Sequence, residues 1–420
     1  MTRRTRLYAG LCSAYLLLTA AQGIHGLPRF EDLKEAFVDS VKSIVPRSFA
    51  GQALQRRQQS NSTNSTSETD VWILADEYSG HTFFDDWKFF TGADPTNGLV
   101  EYVLLQLNSM RTNEFDEFIT SSYVDQDTAF SEGLAYVDDN NTVIMKGDNT
   151  SWVNIGDTRK SVRIESNKYW NGGLFLLDLN RAPWGCAVWP AFWTLGALAT
   201  WPTAGEIDIL EGVHDNIHNH VAWHTNPGCV LTETGNYTGT VDQTDCNANI
   251  NDNSGCGISD WSRVSYGESF DAQGGGVYAM LWDETGIAIW YFYRVSIPQD
   301  IQDGDPKPKT WSMPSASLAP EGCDPFQYFA NHSIVFDITF CGDWAGNSYA
   351  TTPGCPGTCA ERLQDPANFI NASWSINSLK IYTKESLQGT VVSAGHATSS
   401  PHSSMLLTAV VGLLMLLALC

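Results

Sequence analysis

Glu206, Asp208 and Glu211 stand within one run, WPTAGEIDILEGV, from Trp201 to Val213. Ile207, Ile209 and Leu210 lie between them, and Gly205 and Gly212 bracket the run. A short, β-branched apolar segment closed by glycines reads as a strand. On a strand, alternate side chains share a face, so Glu206 and Asp208 point together while Ile207 and Ile209 turn into a core. Glu211 follows Glu206 by five residues and falls on the wrong face under strict alternation. One extra residue, a β-bulge near Ile209 or Leu210, brings it back. A solvated strand face is the plainest account of a lone acidic pair, because unpaired buried carboxylates are expensive. Here, however, Trp193 and Trp201 lie just upstream and His224 just downstream. Acids set among aromatic side chains suit sugar chemistry, in which rings stack on aromatic faces and two carboxyl groups act as nucleophile and proton donor.

The elements that must position these residues read as β-structure from Val71 to about Lys384. Strand-like runs are LVEYVLLQL (Leu99 to Leu107), TVIMK (Thr142 to Lys146), SVRIES (Ser161 to Ser166) and GLFLLDL (Gly173 to Leu179). VYAMLW (Val277 to Trp282), GIAIWYFYRV (Gly286 to Val295), SIVFDITF (Ser333 to Phe340) and SINSLKIYT (Ser375 to Thr383) follow. Gly, Asn, Asp and Pro separate them, and the turn between Trp282 and Gly286 predicts a hairpin. Many short strands with turn-rich spacers predict an all-β sandwich. The stretch from Thr225 to Ser269, rich in Asn, Gly and Thr, reads as a long loop pinned by its cysteines. Because it directly follows His224, it is expected to form one wall of the site.

Composition narrows the function class. The chain has 420 residues, 17% charged and 12% aromatic, with 35 glycines, a mix that fits a folded, turn-rich β protein. Its formal net charge is −23, and beyond residue 57 it carries 15 basic against 43 acidic side chains. Such a surface repels nucleic acid and anionic membranes, so neither is an expected partner. Ten cysteines include Cys12 and Cys420 in terminal apolar runs, leaving eight: Cys186, Cys229, Cys246, Cys256, Cys323, Cys341, Cys355 and Cys359. That even number allows four disulfides in any of 105 pairings. Cys355 and Cys359 have no matching His or Cys pair, which argues against structural zinc.

Both ends read as processing signals. Arg3, Arg4 and Arg6 precede an apolar run to Leu18, so residues 1–23 are expected to be a signal peptide. Residues 24–69 hold an amphipathic helical pattern from Pro28 to Pro46, the dibasic pair Arg56-Arg57 and a Ser/Thr/Asn linker. They read either as a pro-segment or as a helix that stays docked. The catalytic domain is expected over 70–385, a polar spacer over 386–404 and a charge-free hydrophobic tail over 405–420. Small residues, spacer and tail match a glycosylphosphatidylinositol (GPI) attachment signal, with a tail-end membrane helix as the competitor. Sequons at Asn61, Asn64, Asn140, Asn149, Asn236, Asn331 and Asn371 fit a secreted glycoprotein at the cell surface.

The acid motif resembles the bulged signature E-x-D-x-x-E of glycoside hydrolase family 16, typical of its laminarinase-like branch. YSGHTFFDDWKFFTGADPTNGLVEYV (Tyr78 to Val103), NGGLFLLDLNRAPWGCAVWPAFWTLG (Asn171 to Gly196), WHTNPGC (Trp223 to Cys229) and CGDWAGN (Cys341 to Asn347) resemble fungal members as well. The resemblance implies a jelly-roll β-sandwich of two stacked antiparallel sheets with a concave groove, and retaining endo-hydrolysis of β-1,3 or mixed β-1,3/1,4-glucan. It implies Glu206 as nucleophile, Glu211 as acid/base and Asp208 as the residue that holds the nucleophile. It also implies His224 near the acid/base, and Trp193, Trp201 and Trp344 along the subsites. Trp189 reads as either core or site. No cofactor is expected for the chemistry, a structural calcium on the sandwich is left open, and a monomer is expected. A cell-wall transglycosylase and a non-catalytic glucan-binding wall protein are the rival readings. Family transglycosylases usually carry the unbulged E-x-D-x-E, which favours hydrolysis here.

Overall fold

A computed structural model describes residues 70–100, 123–233 and 235–385, and the backbone of 392–393. The signal, linker, spacer and tail expectations, the sequons at Asn61 and Asn64 and most of the Leu99–Leu107 run lie outside the described residues. Among the described residues no helix is long and apolar enough to cross a membrane.

In chain order the strands are β1 (Trp72–Ser79), β2 (Trp87–Phe89), β3 (Ala135–Val137), β4 (Val143–Lys146), β5 (Arg163–Ser166), β6 (Lys168–Tyr169), β7 (Gly173–Arg181), β8 (Val188–Gly196) and β9 (Glu206–Glu211). Then come β10 (His220–His224), β11 (Thr240–Gln243), β12 (Cys256–Ser259), β13 (Gly276–Asp283), β14 (Gly286–Tyr293), β15 (Ala316–Leu318), β16 (His332–Phe340), β17 (Ser373–Lys384) and β18 (Val392–Ser393). One sheet runs β15-β14-β13-β7-β17-β4-β3, with β1 also paired to β17. The other runs β11-β12-β10-β9-β8-β16-β5-β2, and β6 pairs with β18. The registers within both sheets are antiparallel, as the sandwich reading requires.

The two sheets meet across one apolar layer. Phe192, Ile207, Leu210, Val221, Trp223, Phe336 and Ile338 from the second sheet join Phe175, Leu177, Tyr278, Met280, Trp374 and Ile376 from the first, all but closed to solvent. Burying a side chain of that size is worth about 1.5–3 kcal/mol, so this layer dominates the stability. The second sheet's opposite face carries the chemistry. Cross-strand partners there form two rows: His220, Glu211, Ala191 and Asp337, then Ala222, Asp208, Trp193 and Val335.

Most predicted runs are strands, including the hairpin, where Asp283 pairs with Gly286. The Thr225–Ser269 stretch differs from its expectation. It contains β11 and β12, which extend the second sheet beyond β10. TVDQ and CGIS are too short and too polar to show a hydrophobic period, so tertiary pairing decides them. Cys246–Cys256 and Cys229–Cys323 fasten this segment. Cys186–Cys355 and Cys341–Cys359 fasten the segment after β16 that carries Trp344.

Candidate active site

β9 is regular from Glu206 to Asp208 and then breaks register against both neighbours. Trp193 opposes Asp208 while Phe192 opposes Leu210, and across β10 Ala222 opposes Asp208 while His220 opposes Glu211. Ile209 is the extra residue. This bulge puts Glu206, Asp208 and Glu211 on one face, although five residues separate the two glutamates. A bulge leaves backbone groups without ladder partners, and here Asn219 supplies them. Its amide nitrogen donates to the Ile209 carbonyl at 3.0 Å, and its oxygen accepts the Glu211 N–H at 3.0 Å. Asn219 is buried, and its own N–H donates to Ser265 Oγ at 2.9 Å. No pattern around Asn219 in the sequence marks this role.

The two glutamates have different surroundings. Glu206 Oε2 accepts from Trp201 Nε1 at 2.8 Å, and Glu206 Oε1 lies 3.9 Å from His224 Nε2. The same imidazole nitrogen is 3.2 Å from Asp208 Oδ2. On its other side His224 Nδ1 meets Asn253 Oδ1 at 3.0 Å. Asn253 closes a run of three residues, Asn251 to Asn253, at positive φ, a conformation that Asn and Asp tolerate better than most. Gly255 lets this turn approach, since a Cβ there would sit 2.8 Å from His224 Nδ1. The wall after β10 thus reaches the site through the turn that leads into β12.

Glu211 faces a different set. Its Oε1 accepts from Trp189 Nε1 at 2.7 Å, and its Oε2 lies 3.8 Å from His220 Nδ1. The sequence expectation for His224 therefore needs correcting. It sits beside Glu206 and Asp208, and the histidine across from Glu211 is His220, four residues earlier on β10. Antiparallel pairing sets Glu206 against His224 at one end of β10, and the extra residue on β9 brings Glu211 opposite His220 at the other.

The aromatic residues divide as well. Trp201 is 40% exposed and offers an open ring face beside Glu206. Trp344 is half-buried and meets Trp189 and His220 edge-on at 5.8 and 5.5 Å. Trp193 is on the same face but nearly closed off. Its Nε1 donates to Asp337 Oδ2 at 3.3 Å, and the Arg163 guanidinium lies 5.0 Å from its ring centre. Trp189, left open between core and site, is in the site. Arg163 and Asp337 carry no sequence signal for the site, because Arg163 reads as the local ion-pair partner of Glu165 two residues on, and Asp337 stands alone in an apolar strand run.

Burial in a carboxylate cluster sets the charge states. Burial raises Glu206, against the pull of His224 and the Trp201 N–H. Asp208 is pushed well above the usual carboxylate range, first by burial and then by the neighbouring Glu206 charge. Burial disfavours a charged His224, but contact with Asp208 and the charges of Glu206, Asp208 and Glu211 outweigh it and raise its pKa to about 10. Burial raises both carboxyl groups while their proximity favours the charged imidazole, so Glu206, Asp208 and His224 titrate as one coupled set. Glu206, Asp208 and His224 also lie close enough together to hold a metal ion.

A model of the XgeA-like catalytic domain of glycoside hydrolase family 16 matches residues 119–382, more than half of the chain. The chain belongs to glycoside hydrolase family 16. It is 41% identical over 316 residues to a probable glycosidase of Schizosaccharomyces pombe, covering 74% of this chain and 69% of that one. It is 36% identical over 321 residues to an endo-1,3(4)-beta-glucanase of Arthroderma benhamiae, covering 74% of this chain and 65% of that one. Against probable endo-1,3(4)-beta-glucanases of several Aspergillus species the chain spans about half of their length. Among solved structures, laminarinase 16A of Phanerochaete chrysosporium, with 6-O-glucosyl-laminaritriose in donor and acceptor sites, superposes with a TM-score of 0.67 at 34% identity. An elongating family 16 β-1,3-glucosyltransferase superposes at 0.66 and 37% identity. Each covers 74% of this chain and 100% of its own. This family 16 chain is a glycoside hydrolase with a jelly-roll fold.

Asp337 gives the family 16 domain a testable pH dependence. Burial pushes its pKa up to about 7 against the pull of Arg163, with Asp94 and Glu211 adding to the rise. A folded-state pKa above the unfolded value of 3.8 means that the contribution is complete below about pH 4 and is lost as pH rises towards 7. Asp337→Asn removes this titration. The stability difference between wild type and variant should therefore shift by a few kcal/mol in favour of the variant between pH 4 and pH 8. Urea unfolding at the two pH values measures it, and parallel behaviour would refute the assignment.

Proposed function

We propose that the chain is a retaining endo-β-1,3(4)-glucanase that works by double displacement. The observation that carries this reading is the bulged strand, which sets two glutamates on one face in unlike surroundings. In the first step the Glu206 carboxylate attacks the anomeric carbon while the glycosidic C–O bond breaks, and Glu211 protonates the departing oxygen. Trp201 and His224 hold Glu206 in place, and Asp208, kept protonated by burial, offers its O–H in the same pocket. In the second step Glu211 takes a proton from water, the water oxygen bonds to the anomeric carbon and Glu206 leaves, so configuration is retained. That sequence needs the two carboxyl groups about 5–5.5 Å apart. Trp201 and Trp344 supply ring faces for glucose units, and Trp193 lines the floor. No cofactor enters any step. The supporting likeness is to fungal endo-1,3(4)-beta-glucanases and to laminarinase 16A.

A second reading shares every step except the last. The likeness to the elongating glucosyltransferase favours transfer, in which a glucan hydroxyl takes the place of water. Laminarin, a mixed-linkage glucan and labelled laminari-oligosaccharides separate the two. Short sugars with new reducing ends support hydrolysis, label incorporated into longer chains supports transfer, and no product from any substrate would sink both. The proposed setting is the outer cell surface, supported by the end segments, and release of protein from intact cells by phosphatidylinositol-specific phospholipase C would test the GPI anchor.

A further inference from the structure

Behind Glu211, on the side away from Trp189, the second sheet builds a polar chain that none of the steps above uses. His220 is the cross-strand partner of Glu211. Its Nδ1 faces Glu211 Oε2 at 3.8 Å and, among the described residues, is buried with no hydrogen-bond partner of its own. Its Nε2 faces Asp242 Oδ2 at 3.5 Å. That carboxylate oxygen accepts in turn from Ser259 Oγ at 2.8 Å.

Two backbone features make the chain possible. Asp242 is the extra residue of a second bulge: Val241 opposes Ile258 on β12, and Gln243 opposes Gly257. This break lets Asp242 reach His220, as the break at Ile209 does for Glu211. Gly257 leaves room for the ring, since a Cβ there would stand 2.6 Å from His220 Nε2. The edge-on packing with Trp344 holds the imidazole on the side facing the groove. Two bulges, one glycine and one aromatic contact therefore place a single histidine between two acids.

We propose that His220, backed by Asp242 and Ser259, is a positioning residue for the acid/base Glu211. The inference rests on the glucanase reading of Glu211. Trp189 already occupies Oε1, so Oε2 is the oxygen left to carry the transferable proton. Asp242 on the far side favours the tautomer with hydrogen on Nε2, which leaves the Nδ1 lone pair facing Oε2. A proton on Oε2 then has a partner that orients the carboxyl group until the leaving oxygen takes it. The gap of 3.8 Å is longer than a hydrogen bond, and such bonds in an empty site commonly tighten when substrate arrives. His220 gains and loses nothing covalently; it acts only through Glu211.

The test exploits leaving-group chemistry. Cleaving glucan needs a proton on the departing oxygen, whereas an aryl β-glucoside oligomer with a dinitrophenolate leaving group does not. His220→Phe, which keeps the packing against Trp344, should lower kcat/KM on laminarin by about tenfold to a hundredfold, part of the 10²–10⁴ that a general acid supplies. On the activated aryl substrate kcat/KM should stay within about twofold, because the first irreversible step there runs without acid assistance. His220→Asn, whose amide reaches towards the Nδ1 position, should recover most of the loss. Asp242→Asn should repeat the pattern at smaller size. Equal losses on both substrates would show a merely structural role and overturn the proposal, as would undiminished laminarin hydrolysis by His220→Phe. Wild-type inactivity on laminarin and on the aryl substrate alike would instead overturn the glucanase reading, and the inference with it.

Discussion

Glu206→Ala should lower kcat on laminarin by about 10⁴-fold or more, the usual scale when a covalent nucleophile is removed, while glucan still binds. The residue makes no packing contribution that alanine would forfeit at such cost. Its carboxylate is held at the surface of the groove by Trp201 and His224, and Ile207 beneath it carries the core contact. Asp208 cannot take over. It is more deeply buried, and burial and the neighbouring Glu206 charge hold its carboxyl well above the usual carboxylate range, against the pull of His224. The decisive readout is the stereochemistry of rescue. Azide can enter the space left by the missing carboxylate and attack the anomeric carbon of an activated aryl glycoside directly. One displacement then gives the inverted α-glycosyl azide. Unrescued laminarin hydrolysis above about one per cent of wild type, or a β-azide product, would contradict the nucleophile assignment.

The parts of this site legible in the sequence are those with a local signal. Alternation between Glu206, Ile207 and Asp208 gives a strand, and the odd spacing to Glu211 demands a bulge, which the register shows at Ile209. What alternation cannot give is how that bulge is held. Asn219 is an unremarkable residue in a polar turn until pairing brings its carboxamide to the two free backbone groups. The histidines make the same point. His220 and His224 lie on one face of β10, two alternations apart, so the sequence allowed either of them beside either acid. Only the strand register assigns His224 to Glu206 and His220 to Glu211. Long-range pairs were invisible for a related reason. Arg163 and Asp337 meet around Trp193 from β5, β16 and β8, three strands far apart in the chain. The wall after β10 was legible as a pinned segment because cysteines are countable. Its two strands were not, since TVDQ and CGIS owe their conformation to the sheet edge they extend.

Glu211→Ala should divide substrates more sharply than any other substitution at the site. On laminarin, where the departing oxygen is a poor leaving group, kcat/KM should fall by about 10²–10⁴. On a dinitrophenyl oligoglucoside the first step needs no proton, so kcat/KM should change little while kcat falls, because water must attack the glycosyl-enzyme without a base. Azide needs no base, and with Glu206 intact it intercepts the covalent intermediate in a second displacement. The product is then the retained β-glycosyl azide, opposite to that of Glu206→Ala, and kcat recovers. The pairing of opposite azide anomers from two residues on one bulged strand is what a double displacement requires of them. An α-azide from Glu211→Ala would exchange the two roles. No azide effect, with equal losses on both substrates, would show that Glu211 supports the groove without moving a proton. Trp189, the donor to Glu211 Oε1, offers the internal control. Trp189→Phe keeps part of the packing against Trp344 and removes that hydrogen bond, so it should weaken both half-reactions modestly without changing the azide anomer.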